Sequence, residues 1–143
     1  TVVAGVGTND TAHTLHLARE AEASGAHGLL VVTPYYNKPS QEGIYRHFMT
    51  VADCCDLPVM LYNIPGRAGV AIAPETVERL SRHPNIQAIK EATGSMDSAS
   101  EIRQRCGITA EHLQVLFRRG RHPRSHDRLR RAGHAAQPHS PVL

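Results

Sequence analysis

The chain has 143 residues, 41% hydrophobic and 20% charged, with a formal net charge of +3. That length suits about one domain, and the absence of any run of about 18 apolar residues speaks against a membrane span, a collagen-like repeat or a wholly disordered chain. No charged start leads into an apolar stretch, and Cys54, Cys55 and Cys106 make no disulfide framework, so the expected compartment is a reducing cytoplasm.

The predicted elements alternate through residues 1–116. Val2–Val6 reads as a short buried strand. Asn9, Asp10 and Thr11 form an N-cap cluster for a helix to Ala23, stopped by Gly25. Gly28–Thr33 is a second apolar strand, followed by the loop Pro34–Pro39. Ser40-Gln41-Glu42 opens a second helix that should carry Ile44, Phe48, Val51 and Ala52 inward, with Cys54 and Cys55 as packing residues at its end. Pro58–Asn63 is a third strand, ended by a Pro65-Gly66 turn. Pro74 suits a first helical position, and that helix should run to about His83-Pro84. Ile86–Glu91 is a fourth strand, Asp97 to Gly107 a fourth helix, and Leu113–Leu116 a fifth strand.

Apolar strands joined by helices imply an α/β fold with a parallel sheet. Two architectures fit, an open doubly wound sheet and a (β/α)8 barrel. A closed barrel needs about 250 residues, so periodicity alone favours the open sheet.

The chemistry-bearing candidates lie at the carboxyl ends of strands, where parallel α/β folds place their ligands. Lys90 ends the fourth strand. A lysine in an apolar strand is rarely accidental, and desolvation favours the neutral amine that forms Schiff bases. The plainer alternative is a strand-end lysine in solvent or paired with Glu91. Tyr62 ends the third strand and is placed to pass protons to and from an amine adduct; the alternative is a half-buried ring with its hydroxyl on backbone. Tyr35 and Tyr36 follow the second strand and suit a subunit contact. Arg67, beyond the Pro-Gly turn, suits a substrate carboxylate or plain solvent. Gly5-Val6-Gly7 does not complete a dinucleotide fingerprint, the ten histidines show no metal-ligand spacing, and no phosphate-binding loop is present.

Four stretches, in this order, carry a family resemblance: Val3–Asn9, Thr33–Gly43 (TPYYNKPSQEG), Leu61–Gly69 (LYNIPGRAG) and Ile89–Gly94 (IKEATG). Together they resemble the dihydrodipicolinate synthase family of pyruvate-dependent class I aldolases. The resemblance covers residues 1 to about 116 and implies strands three to seven of a (β/α)8 barrel, an incomplete barrel. It implies that Lys90 forms a Schiff base with pyruvate, with no separate cofactor and no metal. It further implies that Tyr62 relays protons, that Tyr36 enters a neighbouring subunit's site, and that Arg67 meets the second substrate's carboxylate. The implied reaction is a lyase-type condensation of pyruvate with aspartate semialdehyde in lysine and diaminopimelate synthesis, by a homo-oligomer, dimer or tetramer. N-acetylneuraminate lyase and keto-deoxy-sugar-acid aldolases share the Lys and Tyr chemistry. Arg67 favours the synthase. Asn9 and Tyr35 match positions that bind feedback lysine in some members. His13 stands where lysine-sensitive forms carry Glu, which argues against that inhibition.

The chain departs from the family at both ends. No residue matches the Gly-Thr-Thr-Gly-Glu loop that holds the pyruvate carboxylate, so weak or absent synthase activity is expected of this chain alone, and a non-catalytic remnant is a further reading. At the other end the composition changes abruptly. Residues 1–116 carry nine basic and twelve acidic side chains, a net −3, whereas 117–143 carry seven and one, a net +6. The second segment has too little apolar surface to order itself. Its junction, Phe117-Arg118-Arg119-Gly120, fits the codons TTC-CGG-CGA-GGA-C, and dropping the first base gives the family's Ser-Gly-Glu-Asp. A frameshift is therefore expected there. The rival reading, a basic arm for nucleic acid or an anionic surface, lacks aromatic residues for stacking and is disfavoured.

Overall fold

The computed structural model describes residues 1–109 and 113–117. The expected low-order basic segment, its frameshift junction and any nucleic-acid arm lie outside the described residues, apart from the backbone of Phe117. The elements are β1 (Val3–Gly5), α1 (Thr11–Ala23), β2 (Gly28–Val32), α2 (Gln41–Ala52), β3 (Val59–Asn63), α3 (Pro65–Ala68), α4 (Pro74–Leu80), β4 (Ile86–Glu91), α5 (Met96–Thr109) and β5 (Gln114–Phe117).

The strands are all parallel and lie in the order β1-β2-β3-β4-β5. This order decides between the two architectures. A doubly wound sheet covers both faces by reversing direction at a switch point. Here every crossover steps the same way, and right-handed crossovers then place all helices on one face. The described sheet is a stretch of barrel wall, and the open sheet suggested by periodicity is not what forms.

The helix-covered face is the core. Leu29, Val31, Leu61, Ile86 and Ile89 are fully buried there against Ile44, Phe48, Val51, Leu80 and Ile102. The second helix turns Ile44, Phe48, Val51 and Ala52 inward as its spacing predicts, and Cys54 and Cys55 pack against this cluster just past its end. The caps also follow the sequence. The Asp10 carboxylate accepts from Ala12 N–H at 3.0 Å, and Ser40 Oγ accepts from Gly43 N–H at 3.2 Å. α4 has no capping side chain of its own, and its N-cap is Ala73. Gln41 of α2 substitutes: its Oε1 accepts from Ala73 N–H at 3.0 Å and from Thr76 Oγ1 at 2.8 Å. Most ends shift by one or two residues, as where α5 runs Met96–Thr109 past the expected stop at Gly107, and two boundaries differ more. α4 stops at Leu80 rather than near His83, and Pro65–Ala68 is one helical turn rather than loop. Gly69, at φ 79°, closes that turn in the left-handed region glycine tolerates.

The other face carries no helix among the described residues. Its side chains fall into rows set by the strand register. One row is Gly5, Leu30, Met60, Ala88 and Gln114, and the next is Val32, Tyr62, Lys90 and Leu116. β4 reaches this register through an irregularity. Val59 pairs with Ile86, but Met60 pairs with Ala88, so one extra residue is accommodated at Gln87. The burial pattern agrees. Ile86 and Ile89, three apart, both enter the core, which strict alternation forbids. The bulge turns the strand over after Gln87 and aims Lys90 at the open face.

Candidate active site

Lys90 and Tyr62 are register partners on adjacent strands, and the Lys90 Nζ lies 4.2 Å from the centre of the Tyr62 ring. Both side chains are half-buried. The pairing of Lys90 with Glu91 that the sequence left open does not occur. Glu91 points through the sheet to the helix side, is fully buried, and accepts from Asn63 Nδ2 at 2.9 Å and Thr93 N–H at 3.0 Å. Among the described residues no hydrogen bond engages the Tyr62 hydroxyl, so its second reading, a phenol tied to backbone, does not hold either.

A cleft of about 380 Å³ opens over the carboxyl ends of β1 to β3. Tyr62, Tyr35 and Arg67 line it with Gly7, Val32 and Ile64. Its floor depends on Gly7, because a Cβ there would run into the backbone nitrogen of Val32. Arg67 is exposed on the helical turn α3, whose N-terminal proline follows Ile64 directly after β3. This short connection carries the guanidinium to the cleft rim. Arg67 also borders an open surface depression with Tyr36 and Lys38.

Tyr36 is 86% exposed and has φ 71°, a left-handed conformation that a bulky residue rarely adopts. Asn37 N–H donates to Tyr35 C=O at 2.9 Å across it, which closes a strained three-residue turn. Tyr36 N–H donates to Ala68 C=O at 3.4 Å, so the turn leans on α3. A tyrosine ring held outward in a strained conformation, largely exposed among the described residues, is a feature of contact surfaces. Of the other candidates, Asn9 is joined to this loop, since Asn37 Nδ2 donates to its carbonyl at 2.8 Å. His13 lies on the exposed side of α1, its ring 6.4 Å from that of His16.

Two features escaped the sequence reading. His47 of α2 is buried, its Nδ1 2.8 Å from Thr11 Oγ1 and its Nε2 without a partner among the described residues; burial pushes its pKa down to about 4. Its place one turn from Ile44 and Val51 on the apolar stripe was the available signal. The Asn63–Glu91 pair has a weaker signal, two polar residues ending apolar strands. Among the described residues no group of three or more His, Cys, Asp or Glu gathers to hold a metal ion, and no helix is long and apolar enough to cross a membrane.

The model of the dihydrodipicolinate synthetase family matches residues 1–114. The chain belongs to that family. The 4-hydroxy-tetrahydrodipicolinate synthase of Trichlorobacter lovleyi is 58% identical over 106 residues, which are 74% of this chain and 37% of that protein. The chain thus spans well under half the length of the curated relatives it matches. The crystal structure of dihydrodipicolinate synthase from Thermotoga maritima superposes with a TM-score of 0.79 at 42% identity, over 81% of this chain and 40% of that one. The chloride-inhibited dihydrodipicolinate synthase of Acinetobacter baumannii, complexed with pyruvate, gives 0.76 at 40% identity, over 80% and 38%. These likenesses agree with the barrel-wall assignment of the five consecutive parallel strands.

Proposed function

We propose that this chain carries the lysine half of a pyruvate-condensing site, as in 4-hydroxy-tetrahydrodipicolinate synthase. The observation that supports it most is Lys90 Nζ standing 4.2 Å over the Tyr62 ring on the open face of a barrel wall. The free amine of Lys90 attacks the ketone carbon of pyruvate, and the carbinolamine loses water to give an imine, so the covalent adduct needs no separate cofactor. Loss of a methyl proton converts the imine to an enamine, whose carbon adds to the aldehyde carbon of aspartate semialdehyde. Tyr62, beside the amine with its hydroxyl unengaged, is the group to carry these protons. Arg67, at the cleft rim, presents a planar fork to the second substrate's carboxylate. Tyr36, held outward, reaches into a second copy in a homo-oligomer. Asn9 and Tyr35 mark a lysine-binding position that His13 leaves without a carboxylate. The reaction belongs to the cytoplasm.

Borohydride reduction in the presence of pyruvate tests this. A reduced pyruvate adduct mapped by mass spectrometry to Lys90, and lost in Lys90→Ala, is expected. No adduct from folded wild-type chain would overturn it.

A further inference from the structure

We infer that the buried Asn63–Glu91 pair is a positioning pair, which locks the bulged register of β4 and so keeps Lys90 beside Tyr62. The inference rests on the proposed role of Lys90 and Tyr62 and adds residues that touch neither substrate. Asn63 and Glu91 are the last register partners of β3 and β4, immediately after Tyr62 and Lys90. Both are fully buried on the helix side. Both N–H donors and the oxygen of the Asn63 amide are engaged: Nδ2 donates to Glu91 Oε2 at 2.9 Å and to Ile72 C=O at 3.4 Å, and Oδ1 accepts from Ile72 N–H at 3.0 Å. The other Glu91 oxygen holds Thr93 N–H, and Ala92 N–H donates to Asn63 C=O at 2.9 Å. One side-chain pair thus ties together the ends of two strands, the 70–73 segment and the start of the loop after β4.

The need for such a tie follows from the bulge. β4 has two registers against β3 that differ by one residue. In the bulged register Lys90 faces the open side. In the straight one every side chain after Gln87 changes face, and Lys90 enters the core while Glu91 enters the cleft side. Ladder hydrogen bonds are formed in either case and distinguish the two poorly. The Asn63–Glu91 bond exists only in the first, and breaking it leaves a buried carboxylate oxygen or amide N–H short of its partner.

A donor–acceptor swap tests the pair. Glu91→Gln sets a Gln amide against both the Asn63 amide and Thr93 N–H, so one donor meets another. Asn63→Asp sets two carboxyl groups together. The double variant Asn63→Asp/Glu91→Gln restores the bond with its direction reversed: the Gln amide donates to Asp, its oxygen keeps Thr93 N–H, and Asp keeps Ile72 N–H, giving up only the long 3.4 Å donation to Ile72 C=O. The readout is the rate of borohydride-trapped pyruvate on Lys90 per folded molecule, with the folded fraction taken from circular dichroism, over a range of pyruvate concentrations. Each single variant is expected to trap about ten- to a hundredfold more slowly at saturating pyruvate, the cost of a misplaced reacting group. The swap is expected within about threefold of wild type, since it restores the same bond. Single variants that fold and trap at the wild-type rate would overturn the inference. So would a swap that does not fold, or that folds and traps as slowly as the singles. If the singles do not fold, the swap alone decides by the same criterion. Wild type that traps nothing refutes instead the proposed role of Lys90.

Discussion

Acid should weaken this fold through His47 more than through any exposed histidine. Its ring is buried between α1 and α2, Nδ1 bonded to Thr11 Oγ1 at 2.8 Å, its face set edge-on to Phe48 with centroids 5.4 Å apart. Burial lowers its pKa from 6.5 to about 4, with the charge of Asp10 opposing the shift only in part. The unfolded chain therefore binds a proton that the folded chain refuses. The sign follows: stability is full above pH 6.5 and is lost as pH falls toward 4. The whole loss is about 3 kcal/mol, and about 2 kcal/mol of it has gone by about pH 5. His47→Asn removes the titration while offering a side-chain polar atom near the position of Nδ1. Urea unfolding followed by circular dichroism, at about pH 7.5 and about pH 5, measures both chains. The wild-type midpoint should fall by about 1 M more than the variant's, given a urea slope of about 1–3 kcal/mol per molar. Equal losses in the two chains would refute the reasoning, because every other titrating group is common to both.

Three further outcomes are expected. Gly7→Ala should destabilise by about 1–3 kcal/mol in urea unfolding, because its Cβ meets the Val32 backbone and one of the strands must shift. Phe48→Ala should cost about 3–5 kcal/mol by the same measurement, since Phe48 is fully buried at the centre of the helix-covered core. Cys54, whose thiol burial and the neighbouring Cys55 push up to about 11, and Cys106, raised by burial, should alkylate with iodoacetamide at about pH 8 far more slowly in folded than in urea-unfolded protein; mass mapping of the labelled peptides checks both.

Local signals carried most of the fold. The apolar spacing of Ile44, Phe48 and Val51, the caps Asp10 and Ser40, and the bounds of β4 depend on residues within one or two turns of each other, and all were legible. The direction in which the sheet grows was not, because strand order is set by crossovers between segments tens of residues apart. The α3 turn was hidden by its proline and glycine, which read as loop although proline opens the helix and Gly69 closes it. At the site, strand-end position singled out Lys90 and Tyr62, which the register sets side by side, and Arg67, which lines the cleft with Tyr62. The bulge at Gln87 left only the three-residue spacing of Ile86 and Ile89 in the pattern, and that spacing reads as an extra residue only once a second strand is laid beside it.

That extra residue makes chain length, rather than residue identity, the sensitive variable between His83 and Ala88. A deletion of one amino acid there would leave hydrophobic content, strand propensity and every proposed reactive side chain untouched. The strand would still pair, and its amine would face into the packed interior instead of standing beside Tyr62 on the open face. Libraries that sample substitutions in this segment should yield many members that still trap pyruvate on Lys90, while those that sample its length should yield almost none.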